Sequence, residues 1–293
     1  MSIILALLAA LFASFTSILA KIGIEKVNSN LATAVRTIVV VIMAFLIVVI
    51  TGQTGHLFEI PLHALLFLIL SGLSTGLSWL CYFKAIKLGD VSKVSPIDNS
   101  SIVLTILFSF LILREPAPIF VVLGGIFISV GTFVLIGRIK KNADVNKLET
   151  REKGTHSYIY LAFLAALFAS LTNILAKVGI EHVDSNVATF IRTVVIIIFS
   201  WGIVAFQGTY KELKLITKRS YLFLILSGFA TGLSWLCYFG ALALGRVSIV
   251  SPIDKFSVVL TIILSFVILK EKPTKYKIVG ASIIAIGTAL LIV

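Results

Sequence analysis

Polar side chains recur at helical spacing in a chain that is otherwise apolar. Ser14, Ser17 and Lys21 fall three and four residues apart, and Ser170, Asn173 and Lys177 repeat the pattern. Thr75, Trp79 and Tyr82, beside Ser71 and Ser78, return as Thr231, Trp235 and Tyr238, beside Ser227 and Ser234. Asp98, Ser101, Thr105 and Ser109 make a further stripe, matched by Asp254, Ser257, Thr261 and Ser265. Steps of three and four keep each set on one face of a helix. Inside a bilayer such groups are costly unless they face another helix or a wet cavity. Six striped helices (the first, third, fourth, sixth, eighth and ninth) are therefore expected to line a path for a small polar molecule. The chemistry on offer is reversible hydrogen bonding. For any single Ser or Thr, a bond back to its own helix backbone is the competing reading.

The intramembrane charges also come in pairs. Arg36 and Arg192 lie about two turns into their helices. Each either pairs with a nearby acid, Glu25 or Glu181 being the simplest, or contacts substrate. Lys21 and Lys177 close their helices and either snorkel to the headgroups or point into a cavity mouth. Asp98 and Asp254 end Ser-Pro-Ile-Asp at 95–98 and 251–254. A Ser N-cap, a first-turn Pro and an acid three residues after the cap make a capping box. The same carboxylates head a polar stripe, which makes them candidates for proton or cation coupling. Beside them the copies diverge, Asn99 becoming Lys255 and Ser100 becoming Phe256, and on the first helix Ser17 becomes Asn173, so the site is asymmetric. The four histidines (His56, His63, His156 and His182) have no ligand-like spacing, and no glycine-rich phosphate loop is present. Neither a metal nor a cofactor is expected.

These residues are positioned by a duplicated set of helices. Residues 10–136 align with 166–292 at a constant offset of 156, without a gap. The composition is 59% hydrophobic and 13% charged, with a mean hydropathy of +1.11. Apolar runs of about 20 residues span a bilayer. Such runs are predicted at 3–23, 31–50, 62–86, 94–113 and 119–137. The second set is 159–179, 187–206, 221–242, 249–269 and 276–293. The predicted class is an all-α integral membrane protein, with ten transmembrane helices as two inverted five-helix repeats. Repeat one occupies 1–137, a charged linker 138–157, and repeat two 158–293. An odd number of spans per repeat turns the second copy over, the arrangement of many secondary transporters. The second and fifth helices and their counterparts lack stripes and are expected at the periphery. Gly72 and Gly76, repeated at Gly228 and Gly232, should let another helix approach closely. Cys81 and Cys237 are repeat equivalents inside helices, which argues for packing and against a disulfide.

Eighteen of the 25 basic residues fall in loops on the linker's side of the membrane. The positive-inside rule then places the linker in the cytoplasm and the termini outside a plasma (cytoplasmic) membrane. The net charge of +12 is thereby an orientation signal, and nucleic acid is not an expected partner. The expected partners are the lipid bilayer and a small-molecule substrate, to a monomer or homodimer.

Three features carry a resemblance. The stretch Leu-Gly-Asp/Arg-Val-Ser-x-Val-Ser-Pro-Ile-Asp occupies 88–98 and 244–254. Leu113-Arg114-Glu115 recurs as Leu269-Lys270-Glu271, and each copy holds five predicted helices. Together these resemble the EamA family of the drug/metabolite transporter superfamily. Ile18-Leu19-Ala20-Lys21-Ile22-Gly23, with Asn30 to Arg36, is similar to short single-repeat members, so the chain looks like two of those fused. The resemblance implies a central cavity from the same six helices, alternating access, and transport of amino acids, drugs or related metabolites, often by proton exchange. Ten-helix relatives are drawn with cytoplasmic termini, opposite to the charge count here. Related multidrug exporters use a first-helix glutamate, where this chain has Ser14 and Thr16, or Ser170 and Thr172. The leading function is secondary transport of a small polar metabolite. The alternative is a flippase for an anionic lipid-linked carrier, using Lys21 and Arg36. An enzyme is not expected, for want of a His cluster or paired carboxylates.

Overall fold

The computed structural model describes residues 1–24, 27–88, 94, 97–116, 118–136, 155–181, 183–270 and 274–292. All regular structure among them is helical. The long elements of the first half are α1 (Ser2–Ile24), α2 (Ser29–Ile50) and α3 (Leu62–Leu88), followed by α4 (Ser101–Leu111) and α5 (Ile119–Ile136). The second half has α6 (Thr155–Ile180), α7 (Ser185–Gln207) and α8 (Lys218–Leu244), then α9 (Val247–Asp254), α10 (Ser257–Ile268) and α11 (Lys275–Ile292). Eight stretches, counting α9 and α10 as one, are long and apolar enough to cross a membrane. Two shorter apolar helices, Ile97–Leu111 and Ile119–Leu135, stand where the fourth and fifth spans were predicted. Of the predicted linker, residues 155–157 form the first turn of α6, and 138–154 lie outside the described residues.

Each helix packs mainly on one from the other half. The principal contacts are α1 on α8, α3 on α6, α5 on α11 and α2 on α7. Adding 156 to one half and subtracting it from the other maps this set onto itself, so the halves are related by a pseudo-twofold. Self-paired elements fix its sense. Asn30, at the start of α2, donates to Gln207 at the end of α7 over 2.8 Å. Asn186, at the start of α7, donates to Gln53 just beyond α2 over 3.1 Å. Equivalent helices thus run antiparallel.

Small residues allow the close approach. Ala6, Ala9 and Ala10 of α1, and their equivalents Ala162, Ala165 and Ala166 of α6, are fully buried. Ser234 donates to Ala9 O (2.9 Å) and Ser78 to Ala165 O (3.0 Å), so hydroxyls join the two seams. Between lipid-immersed helices there is little hydrophobic drive, and such packing and hydrogen bonds carry association. The glycine ridges of α3 and α8 seat α7 and α2. A Cβ at Gly72 would lie 2.8 Å from Val195 Cβ, and one at Gly228 would lie 2.7 Å from Val39 Cβ. Large apolar side chains remain exposed on outer faces, such as Ile42 and Phe45 of α2 and Phe127 and Phe133 of α5. In a bilayer those faces meet acyl chains.

The ninth span is broken. Pro252 lacks an N–H and its ring crowds the preceding turn. The last turn of α9 tightens, with Lys255 N donating to Pro252 O (3.0 Å) and Phe256 N to Ile253 O (2.9 Å). The helix restarts at Ser257.

Candidate functional site: a two-lobed central cavity

One lobe, of about 340 Å³, collects residues from both halves. Thr75, Ser78 and Trp79 of α3 face Ser101 and Thr105 of α4. Across from them stand Thr172 and Asn173 of α6, Arg192 and Ile196 of α7, and Trp235, Tyr238 and Phe239 of α8. Ser251, Asp254 and Lys255, at the break after α9, complete the wall. A second lobe of about 320 Å³ shares Ala13, Trp79, Ser234 and Trp235 with the first, and adds Thr16, Arg36, Val40 and Thr231. Exchange of the halves turns Thr16 into Thr172, Arg36 into Arg192, Val40 into Ile196 and Thr231 into Thr75. Around these residues the lobes are pseudo-symmetric, with Trp79 and Trp235 common to both, while Ser101, Thr105, Ser251, Asp254 and Lys255 line the first lobe alone.

Arg192 is 2% exposed. Its Nε donates to Ser71 Oγ (2.9 Å) and its Nη2 to Thr75 Oγ1 (3.4 Å). Its guanidinium carbon stands 4.0 Å from the centre of the Phe239 ring, a cation–π contact. Ser71 passes the interaction on, donating to Thr172 O over 2.7 Å. Arg36 makes the smaller set, Nη2 donating to Thr231 Oγ1 over 2.8 Å. The repeats differ again nearby. Tyr238 donates to Asn173 Oδ1 (3.0 Å), and Asn173 Nδ2 donates to Ser251 Oγ (3.0 Å). Ser17, the equivalent of Asn173, only bonds back to Ala13 O (3.1 Å).

Glu115 forms a polar lock at one end of the molecule. Its Oε1 accepts from Val247 N (2.7 Å), and its Oε2 accepts from Ser248 N (3.0 Å) and Ser248 Oγ (2.6 Å). The carboxylate caps α9, where the helix dipole favours negative charge. Arg114 aims it by taking a left-handed conformation (φ 54°) after α4, while Glu115 N donates back to Ser109 O (3.1 Å). That backward bond spans six residues and closes the end of α4 without a glycine at the left-handed position.

The model of the EamA-like transporter family matches residues 1–137 and again 156–293. The chain belongs to the EamA-like transporter family. With its apolar helices, that makes it a multi-pass membrane transporter. A Sinorhizobium sp. protein described as an uncharacterized transporter in the cobO 3′ region is 46% identical over 130 residues. The match is 44% of this chain but 92% of that protein, so the relative is roughly one repeat long. Uncharacterized transporter YxxF of Bacillus subtilis (strain 168) is 26% identical over 217 residues, 74% of this chain and 66% of that protein. A solved crystal structure shares the fold at 18% identity, with a TM-score of 0.77 over 99% of this chain and 95% of that one.

In this EamA-like protein the predicted lining residues divide. Thr75, Trp79, Ser101, Thr105, Asn173, Arg192, Trp235, Tyr238, Asp254 and Lys255 meet in the first lobe, and Arg36 and Thr231 in the second. Ser17, Lys21 and Thr261 line a separate hollow of about 220 Å³ with Ser265 and Lys277. Ser14 and Ser170 are fully buried and donate to Leu11 O (2.6 Å) and Leu167 O (2.8 Å) of their own helices, the competing reading. Tyr82 packs with Ala85, Val94, Tyr158 and Ala162. Asp98 and Ser257 stand outside the lining of both lobes.

Four expectations are corrected. Arg192 meets hydroxyls and a ring in place of Glu181, because α3 approaches α7 along its glycine ridge and brings Ser71 and Thr75 within reach. For Arg36 the partner is Thr231, and Glu25 lies outside the described residues. The second and seventh helices are not peripheral, since each contributes an arginine to a lobe. Ser251 is no N-cap: α9 starts four residues earlier under Glu115, which leaves Pro252 inside the helix and Asp254 at its end. In the first copy, Ser95 and Pro96 lie outside the described residues. Lys177 lies outside both lobes and lines an open hollow of about 810 Å³ with Glu115, Glu181 and Arg246. Its Nζ caps the end of α8 by donating to Leu242 O (2.6 Å) and Gly245 O (2.8 Å). Glu115 was legible only as part of a turn motif, because the helix that it caps lies 132 residues away.

Proposed function

We propose that this protein is a secondary active transporter of small polar metabolites, working by alternating access around the two-lobed cavity. One observation carries the reading: a polar cavity with a buried arginine lies on the interface of two antiparallel, pseudo-symmetric halves. Transporters built on inverted repeats place their substrate there, and rocking of one repeat against the other exposes it to each side in turn. In this reading α4, α5 and the eight longer stretches are ten membrane spans. Repeats at 1–137 and 158–293 flank a cytoplasmic linker, and the protein resides in the cytoplasmic membrane. Asp254, in the cavity wall at the break of the ninth span, is the candidate proton-coupling carboxylate.

The test is substrate-dependent stabilisation followed by flux. Purified protein is screened by thermal shift against amino acids, 2-oxo acids, sugars, phosphorylated metabolites and quaternary amines. A ligand at a hundredfold excess over its Kd stabilises the native state by about 2.7 kcal/mol. A hit that also shows counterflow in proteoliposomes supports the transporter. Stabilisation by a polyprenyl-linked lipid alone would sink it and favour a carrier flippase.

A further inference from the structure

The symmetry of the lobes bears on the charge of what they hold. Each lobe is headed by one arginine, and each arginine keeps a buried N–H with no acceptor, Nη1 in Arg192 and Nε in Arg36. A guanidinium stays charged in any protein environment, and a buried donor left unpaired is costly. Among the described residues, those lining the Arg36 lobe include no carboxylate, so none of them supplies that charge with a counterion. In the Arg192 lobe Asp254 is balanced by Lys255, and Arg192 is the excess charge. Thr105 Oγ1 in the same lobe is a further buried group without a partner.

We propose that the two lobes are paired subsites for one small monoanion, a carboxylate on an apolar or aromatic body, held by Arg192 at one stage of transport and by Arg36 at the other. The inference rests on the transporter reading and adds the sign of the cargo's charge and the path that it takes. The carboxylate supplies the acceptor that each arginine lacks, and its two oxygens suit the planar guanidinium fork. Trp79 and Trp235, common to both lobes, give the body a surface to stack on wherever the carboxylate sits. Lobes of about 340 and 320 Å³ lie at the small end of ligand sites, which suits a cargo of amino-acid size.

The chain has three tryptophans, and Trp201 packs away from the lobes near Leu31 and Leu224. In a Trp201→Phe protein, indole emission therefore reports on the lobes alone. Three probes of one shape are titrated: 3-phenylpropionate, its neutral amide, and phenethylamine. The carboxylate is expected to bind at least about tenfold more tightly than the amide, with no response to the amine. Arg192→Gln should weaken that binding by about ten- to hundredfold, the value of a lost charge-assisted hydrogen bond. Arg36→Gln should bind 3-phenylpropionate but lose its counterflow in proteoliposomes. Equal binding of amide and carboxylate overturns the inference, and this comparison needs no arginine variant to fold. Silence to all three probes at millimolar concentration overturns it too, as does counterflow unchanged in Arg36→Gln. Carboxylate-selective binding with no counterflow would uphold the anion subsites while sinking the transporter reading. Counterflow that ignores the carboxylate would do the reverse.

Discussion

Ser71 and Ser227 occupy equivalent positions, and each donates to a backbone carbonyl, of Thr172 (2.7 Å) and Thr16 (3.0 Å). Only Ser71 also accepts from an arginine. The repeat thus supplies an internal control. Ser71→Ala should cost about 1–3 kcal/mol more than Ser227→Ala, because it strands the buried Arg192 Nε; paired denaturant titrations in detergent measure the difference. Glu115 is a second residue-scale case. Glu115→Ala leaves the N–H groups of Val247 and Ser248 unpaired at about 1–3 kcal/mol each, and Glu115→Gln, which keeps one acceptor oxygen, should lose roughly half as much. Asp254→Asn should leave substrate exchange in place and abolish uptake driven by an imposed proton gradient, measured in proteoliposomes; a gradient response equal to that of the parent protein would remove Asp254 from the coupling role. The arginine partners were the least legible part of the sequence. Their acceptors come from helices of the other repeat, and helical spacing ranks faces within one helix, with no information about what a side chain meets across an interface.

At the scale of elements, α5 and α11 meet through glycines. A Cβ at Gly124 would fall 2.9 Å from Gly287 O, and one at Gly287 would fall 2.8 Å from Gly124 O. Backbone stands on both sides, so no side chain can swing away. Gly124→Ala or Gly287→Ala should force the helices apart at about 1–3 kcal/mol, in the range of overpacking. Gly202, with no atom near its would-be Cβ, should accept alanine with a small gain. Thermal unfolding of the three variants side by side checks the contrast. Helix positions and the glycine ridges at Gly72 and Gly228 were readable in advance, because hydropathy and small-xxx-small spacing are properties of a single segment. The division of the ninth span was less so. Pro252 was visible, but reading it as a first-turn residue required the helix to begin at Ser251. The true start at Val247 is set by a carboxylate from the preceding repeat.

At the scale of the whole molecule, the proposed orientation is open to direct measurement. In a protein lacking Cys81 and Cys237, a cysteine at Ser2 should react with a membrane-impermeant maleimide in intact cells, and one at Ala143 should react only after permeabilisation. The reverse pattern would overturn the positive-inside reading. The pairing of α2 and α5 with their own counterparts, α7 and α11, has a further consequence for how such a chain diversifies. Self-paired contacts such as α2 with α7 are isologous, so in an assembly of two identical halves every substitution would be made twice and the site would stay symmetric. Joining the halves in one chain lets a substitution be made once. Asn173 against Ser17, and Lys255 against Asn99, are single-sided changes of that kind. They fall on the cavity wall, while the alanine seams and glycine ridges that hold the halves together stay matched. The residues that differ on the cavity wall and those that join the halves are thus separate sets.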